Sequence, residues 1–119
     1  MMINVDRTSV AMGDDVLPHA QTIELPPETS LAHVVAHLLE RHFLATIAGG
    51  KATWILVAGG PLAVVAQQWD EPRFPVDPSR PIGSFAAEGA GVSLMFRYWK
   101  QNDPDRVFED LAAGREPER

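Results

Sequence analysis

The longest apolar stretch of this 119-residue chain runs from Thr53 to Trp69, and Gly59-Gly60-Pro61 interrupts it once. Each half is rich in β-branched and aromatic residues and is too short for a typical helix. Two such segments joined by glycine and proline predict a β-hairpin at the centre of a sheet. The other elements can be placed relative to this hairpin.

Further strands are predicted on both sides of the hairpin. Residues Ile3 to Met12 alternate imperfectly, which indicates one strand with a bulge near its middle. Residues Gln21 to Leu25 alternate cleanly, stop at two prolines and are expected to pair back on the first strand. Residues Val92 to Trp99 predict the last strand, because every second side chain is apolar or aromatic.

Two helices are predicted, one before the hairpin and one near the end of the chain. Thr29 or Ser30 can cap the first helix. Its apolar residues form one stripe: Leu31, Val34, Val35, Leu38 and Leu39. Asp103 can cap the second helix, with Pro104 at its first position and Gly114 at its end. Its short apolar stripe consists of Val107, Phe108 and Leu111.

The segment from Asp70 to Pro81 carries a proline at every third position, which is the period of polyproline II. We interpret it as a stiff connector between strands. The alternative is a ligand for an SH3-like groove, with Arg73 or Arg80 supplying the charge. Residues Ile82 to Phe85 predict a single helical turn before the last strand.

Composition excludes several classes of function. The chain contains no cysteine, so disulfides, thiolate catalysis and cysteine-bound metals are excluded. The net charge of -6 argues against a nucleic-acid binder, which needs a basic surface. The N-terminus lacks the pattern of a signal peptide, and no apolar run reaches the length of a membrane span. We therefore expect one cytoplasmic domain that does not contact membranes.

The order strand, strand, helix, hairpin, short turn and strand resembles the ubiquitin-like β-grasp superfamily. Three segments carry the resemblance: Glu28-Thr29-Ser30-Leu31 at the helix start, Ile55 to Leu62 with Ala-Gly-x-x-Leu, and Ile82 to Phe85 before Val92. The resemblance implies an α+β fold, with a mixed sheet of four or five strands and one main helix packed across it. The resemblance covers about residues 2–100. We expect residues 1–100 to form the β-grasp-like domain and residues 101–119 to add a C-terminal helical tail.

Departures from that family narrow the expected function. The chain ends without the Gly-Gly of conjugated modifiers and sulfur carriers, and it lacks the cysteines of β-grasp ferredoxins. What the resemblance implies is therefore binding: a non-enzymatic protein-interaction module or a small subunit of a larger assembly. We expect no cofactor, and the identity of the protein partner is not encoded in any motif.

The resemblance and the strand alternation together predict a partner-binding patch on the outer face of the sheet. Its residues are Trp54, Leu56, Met95, Arg97 and Trp99. Ile55 and Val57 would then face the helix, together with Leu94 and Phe96. Two alternatives stay open: the C-terminal tail covers the patch, or the patch mediates self-association.

The sequence supports a catalytic or metal site more weakly than it supports a partner-binding surface. His33, His37 and Glu40 share one helix face and could hold a metal ion, although a solvated polar face is the simpler interpretation. The acidic residues Asp6, Asp14, Asp15 and Glu24 could converge near the first hairpin. The alternatives to a binding module are thus a small metal-dependent enzyme or accessory protein, or an immunity-type inhibitor of a basic toxin.

Overall fold

The computed structural model describes residues 1–8, 20–41, 43–44, 50–86, 91–100 and 102–117. Within these residues the chain forms a mixed sheet, two α-helices and one 3-10 helix. The strands are β1 (Met2–Arg7), β2 (Gln21–Glu24), β3 (Thr53–Val57), β4 (Pro61–Ala66) and β5 (Val92–Tyr98). The helices are α1 (Leu31–Glu40), the 3-10 helix (Ile82–Phe85) and α2 (Pro104–Ala112). The predicted extension of the first strand over residues 9–12 lies outside the described residues.

The strands form one sheet in the order β2-β1-β5-β3-β4. β1 and β5 run parallel at its centre, and the other neighbours pair antiparallel. The predicted hairpin is present as β3 and β4. Gly59 in its turn has a φ of +75°, a conformation that glycine adopts without steric cost. The expected α+β class with a mixed sheet is therefore confirmed.

Helix α1 crosses one face of the sheet and forms the main core. Ser30 caps it, because its Oγ accepts a hydrogen bond from the His33 amide at 3.2 Å. The predicted stripe is buried at Leu31, Val34, Val35 and Leu38. It meets the buried alternate residues of the central strands, among them Ile3, Val5, Leu94 and Phe96. The helical pattern and the strand pattern thus converge on a single apolar layer.

The predicted orientation of β3 is wrong. β3 pairs Trp54 with Tyr98 and Leu56 with Phe96, and paired antiparallel residues project to the same side of a sheet. Trp54 and Leu56 therefore face α1, where they are 2% and 0% exposed. Ile55 projects from the outer face instead. The alternation could not distinguish the two sides, because Thr53 to Leu56 are all buried and neither face carries a charged or exposed residue.

Helix α2 packs on the outer face. The Asp103 carboxylate accepts from the Asp105 amide at 3.1 Å, and Pro104 occupies the first turn, as the sequence predicts. Val107 is 2% exposed and belongs to a second core with Ile55, Val64 and Trp99. The tail therefore covers Trp99, which was one of the alternatives for the predicted patch.

The proline-rich segment is bound to the rest of the fold through its backbone. The carbonyl oxygens of Arg80 and Pro78 accept hydrogen bonds from the Leu31 and Ala32 amides, at 2.9 and 3.0 Å. These amides are in the first turn of α1, where a helix has no internal acceptors for its N–H groups. The contacts favour the connector interpretation, because they fix the backbone of this segment against the start of α1.

Candidate functional site

The outer face of the sheet has two unlike halves. Helix α2 covers the half formed by β3 and β4. The half formed by β5, β1 and β2 presents exposed or half-buried side chains in the described part of the chain: Met2, Asn4, Asp6, Thr22, Ser93 and Met95. A shallow hollow of about 390 Å³ lies among them. We call this second half the open half.

A groove of about 350 Å³ lies where the covered half meets β5. Its floor comes from the sheet, through Ile55, Val57 and Trp99. One wall comes from Leu111 of α2 and from the segment that follows the helix, including Pro117. The β3–β4 turn closes one side with Gly60 and Pro61. Most of this lining is apolar, so the groove suits an apolar group.

Arg97 stands at the boundary between the groove and the open half. Its side chain is exposed, and its guanidinium carbon lies 5.2 Å from the centroid of the Trp99 ring. Trp99 is itself held in place, because its amide donates to the Thr53 carbonyl oxygen at 2.8 Å. Arg97 makes no ion pair with any residue that the structure describes. It therefore presents a positioned cation whose planar donor groups suit a carboxylate.

Arg115 supplies a second guanidinium to the groove. Its Nε and Nη2 atoms donate to Oδ1 of Asp110 at 3.2 and 3.0 Å, and its amide donates to the Asp110 carbonyl oxygen. This pairing folds the chain back after α2, with Gly114 at a φ of +77°. The Arg115 side chain is 66% exposed, so part of its donor capacity still faces solvent.

The structure therefore separates the residues of the predicted partner-binding patch onto opposite faces of the sheet. The structure brings Met95, Arg97 and Trp99 together on the outer face, while Trp54 and Leu56 lie in the core on the opposite side. Sequence reasoning missed the groove, with its contributions from Arg115 and Pro117. The available signal was the amphipathic tail, whose apolar stripe required a surface to cover.

The candidate metal residues do not form a site. The described residues contain no group of three or more histidine, cysteine or acidic side chains that could hold a metal ion. His37 instead approaches Arg41, with 3.5 Å between Nε2 and Nη1. In the acidic set, the Asp6 carboxylate accepts from the Arg7 amide at 2.8 Å, and Asp14 and Asp15 lie outside the described residues.

No family model, curated protein or solved structure matches this chain. No helix in the described part of the chain is long and apolar enough to cross a bilayer. Function must therefore be inferred from the chemistry of the surface itself.

Proposed function

We propose that this chain is a ubiquitin-like β-grasp domain that acts as a non-enzymatic, cytoplasmic protein-interaction module, or as a small subunit of a larger assembly. Two features support the fold assignment: the strand order with β1 and β5 parallel at the centre, and a helix that links the two hairpins. The 3-10 helix before β5 matches the short turn that the resemblance implies.

The observation that carries the functional proposal is the arrangement of Arg97 over Trp99, beside Met95 and an apolar groove. Arginine and methionine are enriched at protein interfaces, and arginine often carries much of the binding energy. Trp99 is 3% exposed, so its role here is to support Arg97. Here the arginine is already oriented by the ring beneath it. We propose that a partner protein covers the open half and uses Arg97 as its central contact.

A second candidate function, an immunity-type inhibitor, is favoured by a different surface. A hollow of about 430 Å³ beside α1 has an apolar floor that includes Leu39 and Phe74. Glu40, Asp70 and Glu71 surround it, and none of the three forms an ion pair with a described residue. A basic partner would complement this hollow rather than the Arg97 surface.

Site-specific photocrosslinking distinguishes the two surfaces. A benzoylphenylalanine is placed at Met95, at Ala36 beside the acidic hollow, or at Glu28 as an exposed control, in the cells that produce the protein. We expect discrete adducts from Met95 that disappear in the Arg97→Glu background. Adducts at twice the mass of the chain would identify self-association. Adducts only from Ala36 would favour the inhibitor, and equal labelling from Glu28 would contradict both proposals.

A further inference from the structure

We infer that the groove between α2 and the sheet binds a short acidic segment of a partner protein, with an apolar side chain in the groove and a carboxylate on Arg97. This inference rests on the proposed interaction function, because it names the chemistry of the partner at the same surface. It depends on three properties of the groove, which are its lining, its charge and its position.

The lining selects an apolar group. Ile55, Val57 and Trp99 form the floor, and Leu111 and Pro117 form the wall. The volume of about 350 Å³ lies at the lower end of the range for pockets that hold small ligands, which is enough for one or two large side chains. An apolar side chain placed here would leave water and add to the coverage of the second core, because Ile55 and Trp99 of that core form the floor.

Arg97 gives the groove an available positive charge within an acidic chain. The protein carries a net charge of -6, yet Arg97 and Arg115 line the groove against a single acid, Glu116. Arg115 already forms an ion pair with Asp110. Arg97 stacks on the face of the Trp99 ring and forms no ion pair with a described residue. An incoming carboxylate would therefore pair with Arg97 first, through two parallel N–H donors.

The position favours a protein segment over a small free acid. Arg97 and Met95 project from the same face of β5, so the groove and the open half form one continuous surface. A partner bound to the open half would therefore extend into the groove past Arg97, which lies at the boundary between the two. Occupancy of both would enlarge the buried area toward that of a specific interface.

Peptide selection tests the inference without a known partner. Random 12-residue peptides on phage are selected on the immobilised full chain, and the most enriched sequence is synthesised with a fluorescent label. We expect the enriched peptides to place aspartate or glutamate beside a large apolar residue. Binding should weaken about tenfold or more in Arg97→Glu, as expected for loss of a charged hydrogen bond. Raising the salt concentration should weaken it as well.

Arg80→Glu is the matched control. Arg80 also stacks on an aromatic ring, with 4.3 Å between its guanidinium carbon and the Phe85 centroid, and the substitution changes the net charge equally. The affinity of the Arg80→Glu variant for the peptide should match that of the wild type. If Arg97→Glu is misfolded by circular dichroism, Arg97→Gln replaces it, because this variant removes the charge and keeps a polar side chain over Trp99.

Three results would overturn the inference: enrichment of basic peptides, equal binding to wild type and Arg97→Glu, or no enrichment at all. Amide NMR shifts give an independent readout, because the bound peptide should perturb Val57 and Leu111 and leave β2 unchanged. Crosslinking from Met95 together with failed selection would reject only the groove ligand. Failure of both experiments would reject the interaction function as well.

Discussion

The two helices cover opposite faces of one sheet, and they do so in different ways. Helix α1 buries four apolar side chains, none of them more than 1% exposed, in a layer shared with every strand. Helix α2 buries Pro104 and Val107 and leaves Phe108 and Leu111 half-covered. The sheet face under α1 therefore belongs to the main hydrophobic core. The face under α2 is a thinner layer whose incomplete coverage creates the groove.

The largest expected effect is on the α1 side. Leu38→Ala should lower the free energy of unfolding by about 2–5 kcal/mol, because it opens a cavity in a layer with no solvent access. Chemical denaturation monitored by circular dichroism measures this change. Ala36→Ser on the exposed side of the same helix is the control and should cost well under 1 kcal/mol. A loss below 1 kcal/mol in Leu38→Ala would contradict the assignment of the main core.

Val107→Ala should have a smaller effect, about 1–2 kcal/mol, because two buried methyl groups are lost from the thinner layer. Hydrogen exchange should show that protection falls in α2 while it persists in α1 and β1. Uniform loss of protection across the sheet would instead mean that both layers fold as a single unit.

The two N-caps offer a matched comparison. Ser30→Ala and Asp103→Ala each remove a side-chain acceptor from a helix start, at a typical cost of about 1 kcal/mol. Because α1 belongs to the main core, Ser30→Ala should lower the midpoint of global unfolding. Asp103→Ala should chiefly increase amide exchange within α2. The comparison fails if both variants change the same set of amides.

The smallest effect concerns pH and the connector that holds the start of α1. The Ser79 hydroxyl and the Ser79 amide donate to Oδ1 of Asp77 at 2.7 and 2.9 Å, and they hold the pKa of Asp77 below its ordinary value. The stabilisation is therefore present above the unfolded pKa of about 3.9 and is lost as the pH falls through the lowered folded pKa. NMR titration of the carboxyl carbon should show a higher pKa of Asp77 in Ser79→Ala. An unchanged pKa would mean that the hydroxyl does not bind the carboxylate in solution.

Local sequence patterns predicted the parts of the fold that local physics determines. The α1 stripe, the Ser30 cap and the Gly59 turn each depend on residues close in the chain, and all three are present. The Asp103-Pro104 start of α2 was predictable for the same reason. These features required no knowledge of the tertiary arrangement.

The candidate site was only partly predictable, because it depends on which face of β3 meets which helix. Met95 and Arg97 were placed correctly by the alternation of β5, where Leu94 and Phe96 are buried and their neighbours are more exposed. β3 offers no such contrast, so its orientation follows from its pairing with β5 rather than from its own sequence. The groove could not be predicted without that orientation and the position of α2.

The connector, which runs from Asp70 to Pro81, also affects which edge of the sheet can pair with a strand from another molecule. Midway along the outer strand β4, the amide and carbonyl of Val64 exchange hydrogen bonds with those of Arg73, at 2.8 and 3.0 Å. A strand from another molecule cannot pair at this point without displacing Arg73, and an open sheet edge is a common route to aggregation. Continuous edge-to-edge stacking needs two available edges on every molecule. The bridge at Val64 therefore disfavours pairing at the β4 edge, and strand addition at β2 alone would stop at a pair of molecules instead of extending into a fibre.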